Sequence, residues 1–144
     1  MRALRLLALC TVASALVGAA WADTRTDFVV IVHPANTVTS VERRFLADAF
    51  LKKITRWSDD VALRPVDLDP ASPLRERFSE QVLSRSVSAV KSYWQQLIFS
   101  GRGIPPPELR EEDAVVAYVL SHPGAIGYVS VKTNLQGART VVIK

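Results

Sequence analysis

Phe28-Val29-Val30-Ile31-Val32, closed by His33-Pro34-Ala35-Asn36, is the stretch on which the class of fold turns. Five successive apolar residues, four of them β-branched, leave no polar face for water, so the run predicts a strand buried on both sides. Pro34 has no N–H to give a ladder and marks the end of the strand. Downstream, Thr39-Ser40-Val41-Glu42 has the form of a capping box, and Val41, Phe45, Leu46, Ala49 and Phe50 recur at helical spacing. This predicts a helix from about Ser40 to Leu51. Residues 52–60 read as a polar loop held by Ile54 and Trp57, and Leu63 to Leu68 as a second strand.

Ser72 suits an N-cap and Pro73 the first helical position, so a helix is expected there with Leu74, Phe78, Val82 and Leu83 turned inward. Ser86 can cap a further helix that buries Val87, Val90, Trp94, Leu97 and Ile98 and stops at Gly101-Arg102-Gly103. Pro105 to Pro107 hold an extended loop. Acidic residues 111–113 open a helix carrying Val115, Val116, Val119 and Leu120, and His122-Pro123-Gly124 closes it. Strands near Ile126 to Val131 and Thr140 to Ile143 complete the order. Strands apolar on both faces, alternating with helices, predict an α/β fold of three layers. Its sheet is expected to be mostly parallel or mixed and flanked by helices.

Upstream of the first strand, Arg2 and Arg5 precede an apolar run from Leu6 to Gly18, and Ala20-Trp21-Ala22 has the small-x-small pattern read by signal peptidase. Residues 1–22 are therefore expected to be a cleaved signal peptide and 23–144 a single exported domain, with a periplasmic location. The run is shorter than the roughly 20 apolar residues that cross a bilayer, which disfavours a retained anchor. Cys10 would leave with the leader, so the 122 residues that remain of 144 must rely on a hydrophobic core rather than a disulfide.

With 49% hydrophobic and 22% charged residues the chain falls outside the disordered class. Loss of Arg2 and Arg5 takes Lys plus Arg from 18 to 16 against 14 Asp plus Glu, so the net charge falls from +4 to +2. Both signs are mixed along the chain, and a nucleic-acid partner is not expected. Nor is catalysis. The mature chain has no Cys for a nucleophile, and its two histidines, His33 and His122, each abut proline at an element end, which suits turns better than acid–base or metal chemistry. No metal and no cofactor is expected.

The best chemical site is the start of the helix after Ser72. A helix N-terminus exposes unpaired N–H groups and partial positive charge, and a serine hydroxyl beside them adds a donor for an oxyanion. Arg75 and Arg77 could supplement it. The alternative is that Ser72 only caps its helix and Arg75 is a solvated surface cation.

Several segments, in order, resemble the periplasmic phosphate-binding proteins of ABC transporters: Phe50-Leu51-Lys52-Lys53-Ile54-Thr55-Arg56-Trp57, Pro65-Val66-Asp67, Ser72 with Arg75 and Phe78, Tyr93-Trp94, Phe99-Ser100-Gly101 and Pro123-Gly124-Ala125-Ile126-Gly127-Tyr128-Val129. The resemblance implies a type II periplasmic-binding-protein fold, whose two α/β lobes close on an anion through backbone N–H groups, hydroxyls and an Arg. At this length the chain resembles one lobe. Of the family's ligand turn only Ser72 carries over residue by residue; with the helix-start reading the candidate ligand groups are Ser72, Leu74 and Arg75, joined by Asn36 and Thr37 near the same rim if the strands lie as in the family. The family's turn departs here: Leu68 stands where the family has its Arg, Pro73 removes an N–H that a Gly would offer, and Asp69 adds a negative charge.

Two functions follow as expectations. One is an exported, non-enzymatic solute-binding-like domain that holds phosphate or a similar oxyanion for an ABC-type transport system. The other is an accessory or protein-interaction module that kept the fold, lost the ligand and contacts a membrane transporter or sensor. A homodimer that rebuilds a two-lobed cleft is a third outcome of the half-size.

Overall fold

The computed structural model describes residues 27–144. The expected leader at 1–22, with Cys10, lies outside them. Strand β1 (Phe28–Val32) lies at the centre of a five-stranded sheet. It runs antiparallel to both neighbours, β6 (Ala125–Ser130) and β7 (Arg139–Ile143). The edges are parallel pairs: β2 (Ser40–Val41) beside β7, and β3 (Arg64–Pro65) beside β6. The sheet is therefore mixed, as one branch of the expectation has it. Its centre is antiparallel because β6 and β7 run in the same direction on either side of β1, and residues 131–138 cross back along the length of β1 to join them. A two-stranded parallel ribbon, β4 (Asp67–Leu68) with β5 (Glu108–Leu109), lies beside the sheet.

Helices α1 (Arg43–Phe50), α2 (Pro73–Phe78), α3 (Val87–Phe99) and α4 (Glu112–Ser121) flank the sheet. Alternation along β6 sends Tyr128 to one face and Gly127 to the other. On the first face the Tyr128 ring stacks on Phe78 at 3.8 Å and meets Phe50 and Phe28 at 5.8 and 6.0 Å, so α1 and α2 pack there on an aromatic cluster. On the second face a Cβ at Gly127 would lie 2.8 Å from Val115 and 2.9 Å from Val66, which shows how closely α4 lies on the sheet. Three layers result. α2 continues as a π-helical turn over Ser79–Leu83, ended by Ser84 in the left-handed region.

Three local expectations are corrected. Thr39-Ser40-Val41-Glu42 does not act as a capping box: Ser40 and Val41 join the sheet, and α1 starts at Arg43 with no side-chain cap. The carbonyls of Thr39 and Val41 accept from Val142 and Lys144 N–H instead, so a long-range ladder overrides the local signal. The expected strand from Leu63 to Leu68 divides. Arg64 and Val66 donate to the carbonyls of Gly124, just before β6, and Ile126 within it, whereas Asp67 and Asp69 donate to Pro107 and Leu109, so the chain changes partner within one strand length. In α3, Val90 and Trp94 are buried as expected, but Ile98 is 52% exposed and the next residue, Phe99, 95% exposed.

Trp57 is buried, and its indole N–H donates to the Gly124 carbonyl at 2.9 Å. The 52–60 loop is thereby tied to the turn before β6. Both histidines serve turns: His33 Nδ1 accepts from Ala35 N–H, and the His122 ring stacks on Tyr118.

Candidate functional site

A cavity of about 450 Å³ opens where α2 begins and β6 ends. Ser72 and Leu74 line it, joined by Ser130 and Lys132 from the end of β6, Arg77 from the second turn of α2, and the carboxylates Asp27 and Glu112. Ser72 is the N-cap of α2, and its Oγ accepts from Arg75 N–H at a long 3.5 Å. Pro73 carries no N–H, so Leu74 presents the first amide of the helix to the cavity. Arg77 Nε lies 3.4 Å from Asp27 and has no hydrogen-bond partner among the described residues. Glu112, in the first turn of α4, accepts from Ser130 N–H at 2.6 Å and from the Thr133 hydroxyl. It thus fixes the turn that carries Lys132. Two cations face two carboxylates across the cavity, so selectivity for an anion must come from directed donors rather than net charge.

Asp69 does not line this cavity. Its carboxylate accepts from Ala71 N–H at 2.8 Å and is spent on the Pro70-Ala71 turn. Leu68, where the family's Arg is expected, is fully buried in β4.

The structure separates the remaining candidates from Ser72. Arg75 turns inward and is 2% exposed, so it is neither beside an anion at the helix start nor a solvated surface residue. Its Nη1 lies 2.5 Å from Asp67 Oδ2, donates to the Leu68 carbonyl at 3.0 Å and lies 3.7 Å from Glu108. Asn36 and Thr37 follow β1 at the end of the sheet where Val32 pairs with Ile126, while the cavity sits at the other end, where Phe28 pairs with Ser130. The antiparallel run of β1 against β6 causes that separation. Asn36 instead braces its own loop, with Oδ1 accepting from Val38 N–H and its carbonyl from Arg139. Lys132, Ser130 and Glu112 are cavity residues absent from the sequence reading. Nothing local marks them, because only the packing of the end of β6 and the start of α4 beside α2 brings them to Ser72.

Asp67 is the centre of a buried polar cluster. Its Oδ1 accepts from the Tyr128 hydroxyl and from Leu68 N–H. Burial pushes its carboxyl up from an ordinary 3.8 to about 6, more than Arg75 and the Tyr128 bond pull it down. The Tyr128 hydroxyl is held well above the usual phenol range by the same burial, with the neighbouring Asp67 charge adding to it. A carboxyl whose folded value is raised contributes stability that is fully present below about pH 4 and is lost as pH rises through about 6. Two pH units correspond to about 3 kcal/mol. Asp67→Asn should be less stable in absolute terms, since its amide would set a donor against Arg75, but its stability should be flat across this window. Urea unfolding at a series of pH values measures both slopes.

Among the described residues no helix is long and apolar enough to cross a membrane, and no group of three or more His, Cys, Asp and Glu is placed to hold a metal.

Comparison with known proteins gives the same architecture. A family model described as a PBP superfamily domain matches residues 21–142. The chain belongs to the PBP superfamily. Curated proteins include none that matches it. Among solved structures, this PBP domain is similar to a protein described as a phosphate ABC transporter substrate-binding protein with bound phosphate, from Clostridium perfringens. That match has 19% identity and a TM-score of 0.65, over 81% of this chain and 44% of that one. It is also similar to an ABC-type phosphate transport receptor from Vibrio cholerae, at 16% identity and a TM-score of 0.63 over 81% and 46% of the two chains. A third similar structure is PstS from Borrelia burgdorferi, at 13% identity and a TM-score of 0.64 over 82% and 47%. These likenesses show the fold. The PBP domain spans less than half of each of those proteins, in keeping with the extent of a single lobe.

Proposed function

We propose that this PBP domain is an exported, non-enzymatic solute-binding domain that holds a small oxyanion, phosphate first, in the cavity at the start of α2, in the service of an ABC-type transporter. Its leader would be residues 1–22 and its place of action the periplasm. The observation that carries the reading is the cavity itself. Ser72, Leu74 and Arg77 from α2 and Ser130 and Lys132 from the end of β6 line it together, and their hydroxyls, first helical amide and cations are a donor set suited to a tetrahedral oxyanion. The ligands named for the similar solved structures favour phosphate within that class. Binding by one open wall should be weak, in the millimolar range.

Thermal unfolding of the purified exported protein in phosphate, sulfate and chloride at matched ionic strength tests the proposal. A ligand that binds only the folded state raises the midpoint, by the equivalent of about 2.7 kcal/mol at a hundredfold excess over its dissociation constant. A saturable rise in phosphate is expected, and it should disappear in Lys132→Ala, which removes a cavity cation from an exposed position outside the core. No rise beyond chloride would refute an oxyanion site and leave the second reading, a ligand-free interaction module. That reading has its own support in the cluster of Ile98, Phe99 and Ile104, exposed at the end of α3 and in the loop after it.

A further inference from the structure

A second, larger cavity of about 670 Å³ lies between α3 and the Pro105–Pro107 segment and shares no lining residue with the first. Val90, Trp94 and Ile98 form its helical wall and Pro105 and Pro106 the opposite one, so it is an apolar groove. At its rim stands an apolar projection. Phe99 is 95% exposed and Ile104 70% exposed, and Ile98, which precedes Phe99, lines the groove itself. A receiving groove and a protruding aromatic side chain therefore adjoin one another at the end of α3.

We propose that this face is a dimer interface, in which two copies of the chain pair about a two-fold axis and each inserts Phe99 into the groove of the other. An isologous contact requires a self-complementary patch, and a ridge beside a groove meets that requirement. A head-to-tail contact would leave one Phe99 in water at one end and one empty groove at the other. The charges agree. Lys91 and Glu108 both line the groove, so two copies can set Lys91 of each toward Glu108 of the other without like-charge repulsion. The groove's other cation, Arg75, is buried and paired with Asp67, so Lys91 alone, offset by Glu108, offers little to an anionic bilayer surface. The area is also adequate: each Phe99 has about 150–250 Å² to bury, and with Ile98, Ile104 and the two proline walls on both copies the total reaches the roughly 1,000 Å² that a specific interface needs. This pairing differs from one that would rebuild a cleft, because the cavity at Ser72 stays open in the dimer.

Sedimentation velocity of the purified exported protein, from micromolar to near-millimolar concentration, reads the proposal directly. A concentration-dependent shift from monomer to dimer is expected. Phe99→Asp should weaken the dimer by about thirtyfold or more, as loss of a central aromatic anchor does, while Phe99→Leu should retain most of it. Phe99 is 95% exposed within its own chain, so both variants should unfold at the wild-type temperature at dilutions where the wild type is monomeric. A monomer at every concentration overturns the proposal, and so does a dimer that survives Phe99→Asp. Flotation with vesicles of anionic lipid that depends on Phe99, without dimerisation, would assign the face to a membrane and overturn it equally. The oxyanion response of Phe99→Asp should equal that of the wild type, so failure of either proposal can be told from failure of the other.

Discussion

Arg75→Met should cost the domain about 3–5 kcal/mol at neutral pH, because it removes the cation that lies 2.5 Å from the Asp67 carboxylate and leaves that group buried. Such a loss would lower the unfolding midpoint by about 10 °C or more. The methionine fills much of the space of the arginine stem, so the loss reports the broken pair rather than a cavity. The deficit should shrink in mild acid, where Asp67 takes up a proton and no longer needs the cation. The double variant Arg75→Met with Asp67→Leu should recover much of the stability, because an apolar pair of similar volume avoids the desolvation that both ions bear. Tyr128 would still lack an acceptor for its hydroxyl, so adding Tyr128→Phe should improve the double variant further. A cycle of denaturant unfolding over these variants separates the pair from the hydroxyl. If Arg75→Met alone cost less than about 1 kcal/mol, the cluster would not be the buried ion pair described here.

The same cluster shows where the sequence could be read and where it could not. The apolar runs of β1 and β6, the Ser72-Pro73 helix start and the Ser86 cap all have causes within a few residues, and each appears in the structure where the sequence puts it. Arg75 does not, because one turn of helix cannot reveal which way a long cationic side chain points. The clue lay eight residues upstream. Asp67, between Val66 and Leu68 in a strand expected to be buried, demands a buried partner of opposite charge, and Arg75 is the one the fold supplies. Similarly, β2 and β5 are two-residue strands held by partners far along the chain, which no local propensity records. The candidate site was legible only at Ser72 and Leu74. Arg77 is legible there as a supplement to the helix start, and Lys132 and Ser130 reach the cavity through the register of β6 against β1.

Gly124→Ala should be the other severe substitution, and for a backbone reason. A Cβ at this position would lie 2.1 Å from the Ala62 carbonyl oxygen and 3.0 Å from Val61, and the residue has φ +83. The left-handed backbone alone costs an L-residue about 1–2 kcal/mol. The close approach adds more, because a carbonyl oxygen in a paired loop cannot rotate aside as a side chain can. The Gly124 carbonyl also accepts from the Trp57 indole at 2.9 Å and from Arg64 N–H at 3.0 Å. Any shift that relieves the clash therefore pulls on Trp57 and on the pairing of β3. A total of about 3 kcal/mol or more is expected, with greater solvent exposure of Trp57 seen as a red shift in fluorescence. Gly137→Ala provides the control, since Gly137 has φ +102 but nothing within 4 Å of its Cβ position. It should show only the backbone penalty and leave the fluorescence unchanged. Equal losses in the two variants would mean that the 55–64 loop yields freely, so that Trp57 does not tie it to the sheet.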